Sequence, residues 1–165
     1  MLIEMLKFML LGAIATFFLD VLGIGLAKIF KTKTRNWGTV GQWLKGLCQF
    51  KWVYVAKDYP QAPDFHEQVL GWGFHYAVGM GYGLILFMLA GTGYLNQPTL
   101  LPALWVGLVL PTLASWLIFM PCMGAGLFGH KAKNIKITVF FVLSMHVIFM
   151  LGLYLLIYLR IYFSK

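Results

Sequence analysis

Charge is what this chain is short of. Only 11% of its 165 residues carry one, while 61% are hydrophobic, and an ordinary soluble domain has about 25% charged residues. Acidic groups are the scarcest, with five Asp and Glu against thirteen Lys and Arg. The sequence offers no paired carboxylates, no HExxH and no GxSxG, so a membrane-embedded enzyme has the least support. Cysteine is nearly absent as well. Cys48 and Cys122 form no CxxC pair, which leaves a quinone-linked thiol oxidase of the four-helix type without working parts. Both lie in loops assigned below to the cytoplasm, where no disulfide is expected.

What fills the chain instead is apolar sequence in four long runs, 6–30, 69–90, 101–120 and 137–162. Each is long enough to cross a hydrocarbon core of about 30 Å, which takes about twenty helical residues. The pattern predicts an all-α integral membrane protein, a single domain over 1–165 with four transmembrane helices. The pieces between the runs, of which 31–68 is the largest, are too short to bury a core of their own. Near the N-terminus, Lys7, an apolar stretch and Ala13-Ile-Ala15 resemble a signal peptide. The run continues past Ala15 as TFFLDVLGIGLAKIF, so a retained first helix is the better reading.

A net charge of +8 would suggest nucleic acid if it lay on a soluble surface, but its placement argues otherwise and no nucleic-acid partner is expected. Lys31, Lys33, Arg35, Lys45, Lys51 and Lys57 lie between the first two apolar runs, and Lys131, Lys133 and Lys136 between the last two. The opposite face holds only Lys7, Arg160 and Lys165. The positive-inside rule then puts both basic loops in the cytoplasm and the termini on the other side. Such loops suit anionic lipid headgroups, at roughly 1 kcal/mol per basic residue near the surface.

Between the first two runs, Asn36 is placed to cap a helix over 37–50 with Val40, Trp43, Leu44 and Leu47 at i, i+3, i+4 and i+7. Gln42, Lys45 and Gln49 take the other face. This predicts a short amphipathic interfacial helix with Trp37 and Trp52 as headgroup-level anchors, or else a loop helix packed on protein. Farther on, His66 reads as an ordinary solvated histidine. Pro111, near the middle of the third run, predicts a kink, and Pro121, Gly124 and Gly126 predict a stop.

One stretch of the second run, GWGFHYAVGMGYG over 71–83, combines five glycines with a histidine. Transmembrane helices gain most by close packing, which small residues four apart permit. At that spacing the second run gives His75, Gly79 and Gly83, and the first gives Gly12, Thr16 and Asp20. The third gives Ala103, Gly107, Pro111 and Ser115, and the fourth His146, Met150 and Tyr154. A mid-helix aspartate costs roughly 2.5 to 3.5 kcal/mol on insertion scales, so it needs a partner. The expectation is one buried polar layer of Asp20, His75 and His146, with Thr16, Ser115 and Ser144 nearby. Such a layer either relays or binds something or only locks the helices together. His75 and His146 also suit axial ligation of a b-type haem. Met120, Cys122 and Met123 invite a weaker copper reading.

Several elements in order, Trp37 with Val40-Gly41-Gln42-Trp43, His75-Tyr76 with Gly79, Pro98-Thr99-Leu-Leu-Pro102-Ala103, Pro121 with Met123-Gly124-Ala-Gly126, and His146 with Gly152-Leu-Tyr154, resemble a family of small bacterial membrane proteins known only as a domain of unknown function. The resemblance runs through nearly the whole chain. It implies a four-helix protein of the bacterial inner membrane, with no reaction, substrate or cofactor attached. The family's pattern has Gln where this chain has Met120 and does not include Cys122, which weakens the copper reading. The function expected is that of a non-enzymatic transporter-like or accessory subunit, its termini periplasmic, acting as a homodimer or with a larger membrane partner. The alternatives are a haem or metal redox protein and a purely structural scaffold.

Overall fold

The computed structural model describes residues 1–31 and 34–163. Lys33 and Lys165, two of the charges used above, lie outside them. Among the described residues there is no strand. The main helices are α1 (Leu2–Ile29), α2 (Trp37–Leu47), α3 (Phe65–Ala90), α4 (Leu100–Cys122) and α5 (Ile135–Phe163). All but α2 are long and apolar enough to cross a membrane. They coincide with the four runs of the sequence, each reaching a few residues past at least one predicted end.

Contacts gather the chain into two compact units. The first comprises Met1–Thr34, Tyr76–Thr112 and Leu143–Lys165, and the second Arg35–His75 and Leu113–Val142. In the first, Phe8, Leu11, Ala15, Leu86, Val106 and Leu153 form the centre of a core contributed by α1, α3, α4 and α5. α1 and α3 run antiparallel and touch backbone to backbone. A Cβ on Gly12 would land on the Gly79 carbonyl, and one on Gly83 would land on the Phe8 carbonyl. α5 crosses α1 where Gly152 meets Ala15, and crosses α4 where Gly107 meets Met150. On the outer side of α1, Leu10, Phe17, Phe18 and Val21 are exposed, an apolar exterior suited to lipid rather than water.

In the second unit, the Asn36 side chain accepts from the Gly38 amide at 3.0 Å and caps α2. α2 is packed on protein: a Cβ on Gly41 would strike the Glu67 carbonyl, and one on Gly71 the Trp37 carbonyl. Gln42, expected on the polar outer face, is instead buried at 3% exposure. The close approach at Gly38 and Gly41 turns that side of α2 inward, and Gln42 is satisfied there by Tyr54 (3.2 Å) and the Gln61 carbonyl (3.3 Å). Helix α2 ends at Leu47, short of residue 50, with Phe50 in the left-handed region.

Helix α4 contains two widened π turns, Trp105–Val109 in the first unit and Ser115–Phe119 in the second. Each ends two residues before a proline, Pro111 and Pro121. A proline supplies no amide to the carbonyl four residues back, and its ring crowds that carbonyl. Widening the preceding turn relieves the clash without breaking the helix. The helix stops at Cys122, followed by Gly124 and Gly126 at φ 77° and 74°, conformations that glycine adopts without strain.

Candidate functional site

The glycine-rich stretch of α3 sorts into used and unused positions. Gly79 and Gly83 meet α1, Gly71 meets α2, and Gly73 and Gly81 face open space. On α1 the stripe of Gly12 and Thr16 leads to Asp20, one turn further along the helix. Thr16 is buried, and its hydroxyl donates to the Gly12 carbonyl at 2.9 Å. Asp20 is part-buried, nine residues from the end of α1 at Ile29, which is about 13 to 14 Å along the axis.

The Tyr76 hydroxyl lies beside the Asp20 carboxylate, close enough for the two to interact. Spacing by fours would put His75 in line with Gly83 and Gly79. At about 100° per residue, however, two such steps overshoot the stripe by about 80°, whereas seven residues fall about 20° short of two turns. Tyr76, seven residues before Gly83, therefore continues the α1-facing stripe better than His75. In the second unit, His75 stacks on Trp37 at 3.9 Å between ring centroids, with Trp72 edge-on at 5.9 Å.

His146 is part-buried on α5, with Nδ1 2.8 Å from the Thr112 hydroxyl. Thr112 is itself buried and sits five residues after Gly107, which packs on Met150 one turn along α5. The π turn between them explains the spacing. With one more residue in the turn, positions five apart share a face, so Thr112 joins Gly107 toward α5. Pro111 is buried beside it, while Ser115 opens the second π turn and is part-buried, as is Ser144 on α5. Met120 is buried beside Gly129, Cys122 uses its carbonyl to accept from the Tyr54 amide, and Met123 is part-buried. No group of three or more His, Cys, Asp or Glu among the described residues could hold a metal ion.

A second polar cluster stands where α2 meets the start of α3. Asp64 accepts from the Glu67 amide at 2.8 Å, and Glu67 accepts in return from the Asp64 amide at 3.0 Å. This is a reciprocal capping box, legible in the sequence as Asp64-x-x-Glu67. Lys45 of α2 pairs with Glu67 at 2.9 Å and with Asp64 at 3.6 Å. The bond to Glu67 raises the Lys45 pKa, and the Glu67 amide holds the Asp64 carboxyl below its ordinary value. Beside this cluster lies a cavity of about 210 Å³ lined by Gln42, Asp58, Gln61 and the two carboxylates.

No curated protein and no solved structure matches this chain. A family model does match, described as a protein of unknown function (DUF2938), over residues 9–159. That span holds the packed stripes of α1 and α3, the Asp20 and Tyr76 pair, Thr112 with His146, and the α2 cluster. The chain belongs to the DUF2938 family.

Proposed function

We propose that this is a non-enzymatic, multi-pass protein of the bacterial inner membrane whose Asp20 and Tyr76 pair takes up and releases a proton or a small cation. The observation that carries the reading is a carboxylate near the middle of an apolar spanning helix, met by a hydroxyl from the neighbouring helix. An ionisable group at that depth is costly. A purely structural clamp could use an uncharged side chain at lower cost. His146 and Thr112 form a second polar pair at the α4 and α5 contact, next to a π turn, a feature frequent at functional positions.

In this reading the two basic loops face the cytoplasm and the termini the periplasm, from nine basic residues against three. Four helices make a thin wall around any pathway, so the protein works as a homodimer or with a larger membrane partner. The test is proton uptake by the purified protein in vesicles loaded with a pH-sensitive dye. Wild type is expected to take up protons and Asp20→Asn, which keeps the fold, is not. Equal uptake by the two would reduce the pair to a structural contact. Orientation is tested separately: active alkaline phosphatase fused after Lys165 is expected, and a fluorescent cytoplasmic fusion there would reverse it.

A further inference from the structure

Arg35 stands just before α2, with its guanidinium carbon 4.8 Å from the centroid of the Phe119 ring. Glu4, Asp64 and Glu67 form ion pairs with Lys7 and Lys45. None reaches Arg35. Surrounding protein atoms disfavour its charged form and lower its pKa, while the residue as a whole is exposed. A guanidinium so placed, outside those ion pairs, presents a planar fork of donors that fits a phosphate.

Its level in the fold is set by α4. Phe119 lies in the last turn of that spanning helix, three residues before Cys122. Trp43 is edge-on to Phe119 at 6.1 Å and donates its Nε1 to the Trp52 carbonyl at 3.0 Å. The Tyr54 amide donates to the Cys122 carbonyl at 2.7 Å. The loop over 50–55 is thereby tied to the end of a spanning helix, the depth at which hydrocarbon gives way to headgroups.

At that depth the loop turns two large rings outward. Phe50 is 83% exposed and Trp52 68%, with Lys51 between them. Phe50 holds φ 59°, a left-handed conformation that costs a residue with a Cβ roughly 1 kcal/mol or more. The turn is closed by the Lys51 amide on the Gly46 carbonyl at 2.9 Å.

We propose that Arg35, Phe50 and Trp52 form a binding site for the headgroup of an anionic phospholipid, the phosphate on Arg35 and the two rings at the boundary of the acyl chains. A free anion would use Arg35 and have no use for the exposed rings. The site requires that α4 cross the bilayer, and it is independent of the Asp20 and Tyr76 pair.

The test is native mass spectrometry of the full chain in detergent with equal added phosphatidylcholine and phosphatidylglycerol. Wild type is expected to retain phosphatidylglycerol preferentially, and Arg35→Gln to cut that preference about tenfold, the scale of one lost charge-assisted hydrogen bond. Inorganic phosphate in excess is expected to leave retention unchanged; displacement by it would make this a simple anion site and overturn the lipid assignment. An undiminished preference in Arg35→Gln would overturn it too. Should that variant not fold, a spin label on Phe50→Cys, in a Cys48→Ala and Cys122→Ala background, decides in vesicles of the same two lipids. It is expected to collide more with oxygen than with a water-soluble nickel chelate. The reverse would put residue 50 in water and end the proposal.

Discussion

The two units both rely on glycine to bring helices into backbone contact, and they differ in what is added to it. In the first, Gly12, Gly79 and Gly83 let α1 lie on α3, and the contact is otherwise apolar until Asp20 meets Tyr76. In the second, Gly41 and Gly71 let α2 lie on the first turns of α3, and the contact is reinforced by Lys45, Asp64, Glu67 and a ring stack on His75. An apolar surrounding provides no hydrophobic drive between helices, so shape does the holding and a lone polar pair stands out. Between exposed side chains such as Lys45 and Asp64, ion pairs cost little to form but are weak. Polar residues therefore carry more functional information in the first unit than in the second.

The largest effect should come from filling the glycine contacts. Gly83→Leu and Gly71→Leu each place a side chain on a neighbouring backbone carbonyl, which should cost roughly 3 kcal/mol, the upper part of the range for overpacking. Denaturant titration of the purified protein measures it. Equal and small losses would mean that the helices simply move apart. Asp20→Leu follows, with a loss of about 1 to 2 kcal/mol from the abandoned Tyr76 hydroxyl and the changed packing, while Asp20→Asn should be nearly silent for folding.

Gly73→Ala and Gly81→Ala go the other way. Nothing lies within 4 Å of a Cβ at either, so each should gain about 0.5 to 1 kcal/mol in helix propensity; a loss would reveal a contact with another chain at that face. Thr112→Val should cost roughly 0.6 kcal/mol, the average for hydrogen bonds between helices in a membrane, and a cost beyond that would give the His146 pair more weight.

The smallest effect concerns pH at the α2 cluster. Asp64, with its pKa lowered from 3.8, contributes stability above that value and loses it as pH falls through the folded pKa. Lys45, raised from 10.5, contributes below that value and loses its part as pH rises through the folded one. A fluorophore on Cys48, exposed just past α2, should thus show constant anisotropy across neutral pH and greater freedom at both extremes. Lys45→Met should remove the alkaline change.

Much of the fold was legible because apolar length alone identifies the four helices long enough to span a membrane, and Asn36 with its following residues marks the start of α2. The stripes were legible too, in Gly12, Thr16, Gly79 and Gly83. Spacing by fours loses accuracy where small angular errors accumulate: it finds the buried Pro111 but does not reach Tyr76, which continues the stripe of Gly79 and Gly83, or Thr112 beyond the first π turn. A proline two residues beyond a turn could have flagged the added residue. The burial of Gln42 was hidden because its partners, Tyr54 and Gln61, come from a loop with no periodic pattern.

The central claim, that Asp20 binds a proton with Tyr76 as its hydrogen-bond partner, is tested most directly by infrared difference spectroscopy of the protein in lipid during acidification. A carboxyl band should appear that is absent in Asp20→Asn and displaced in frequency in Tyr76→Phe. A spectrum without an Asp20 band, or one that Tyr76→Phe leaves unchanged, would contradict it.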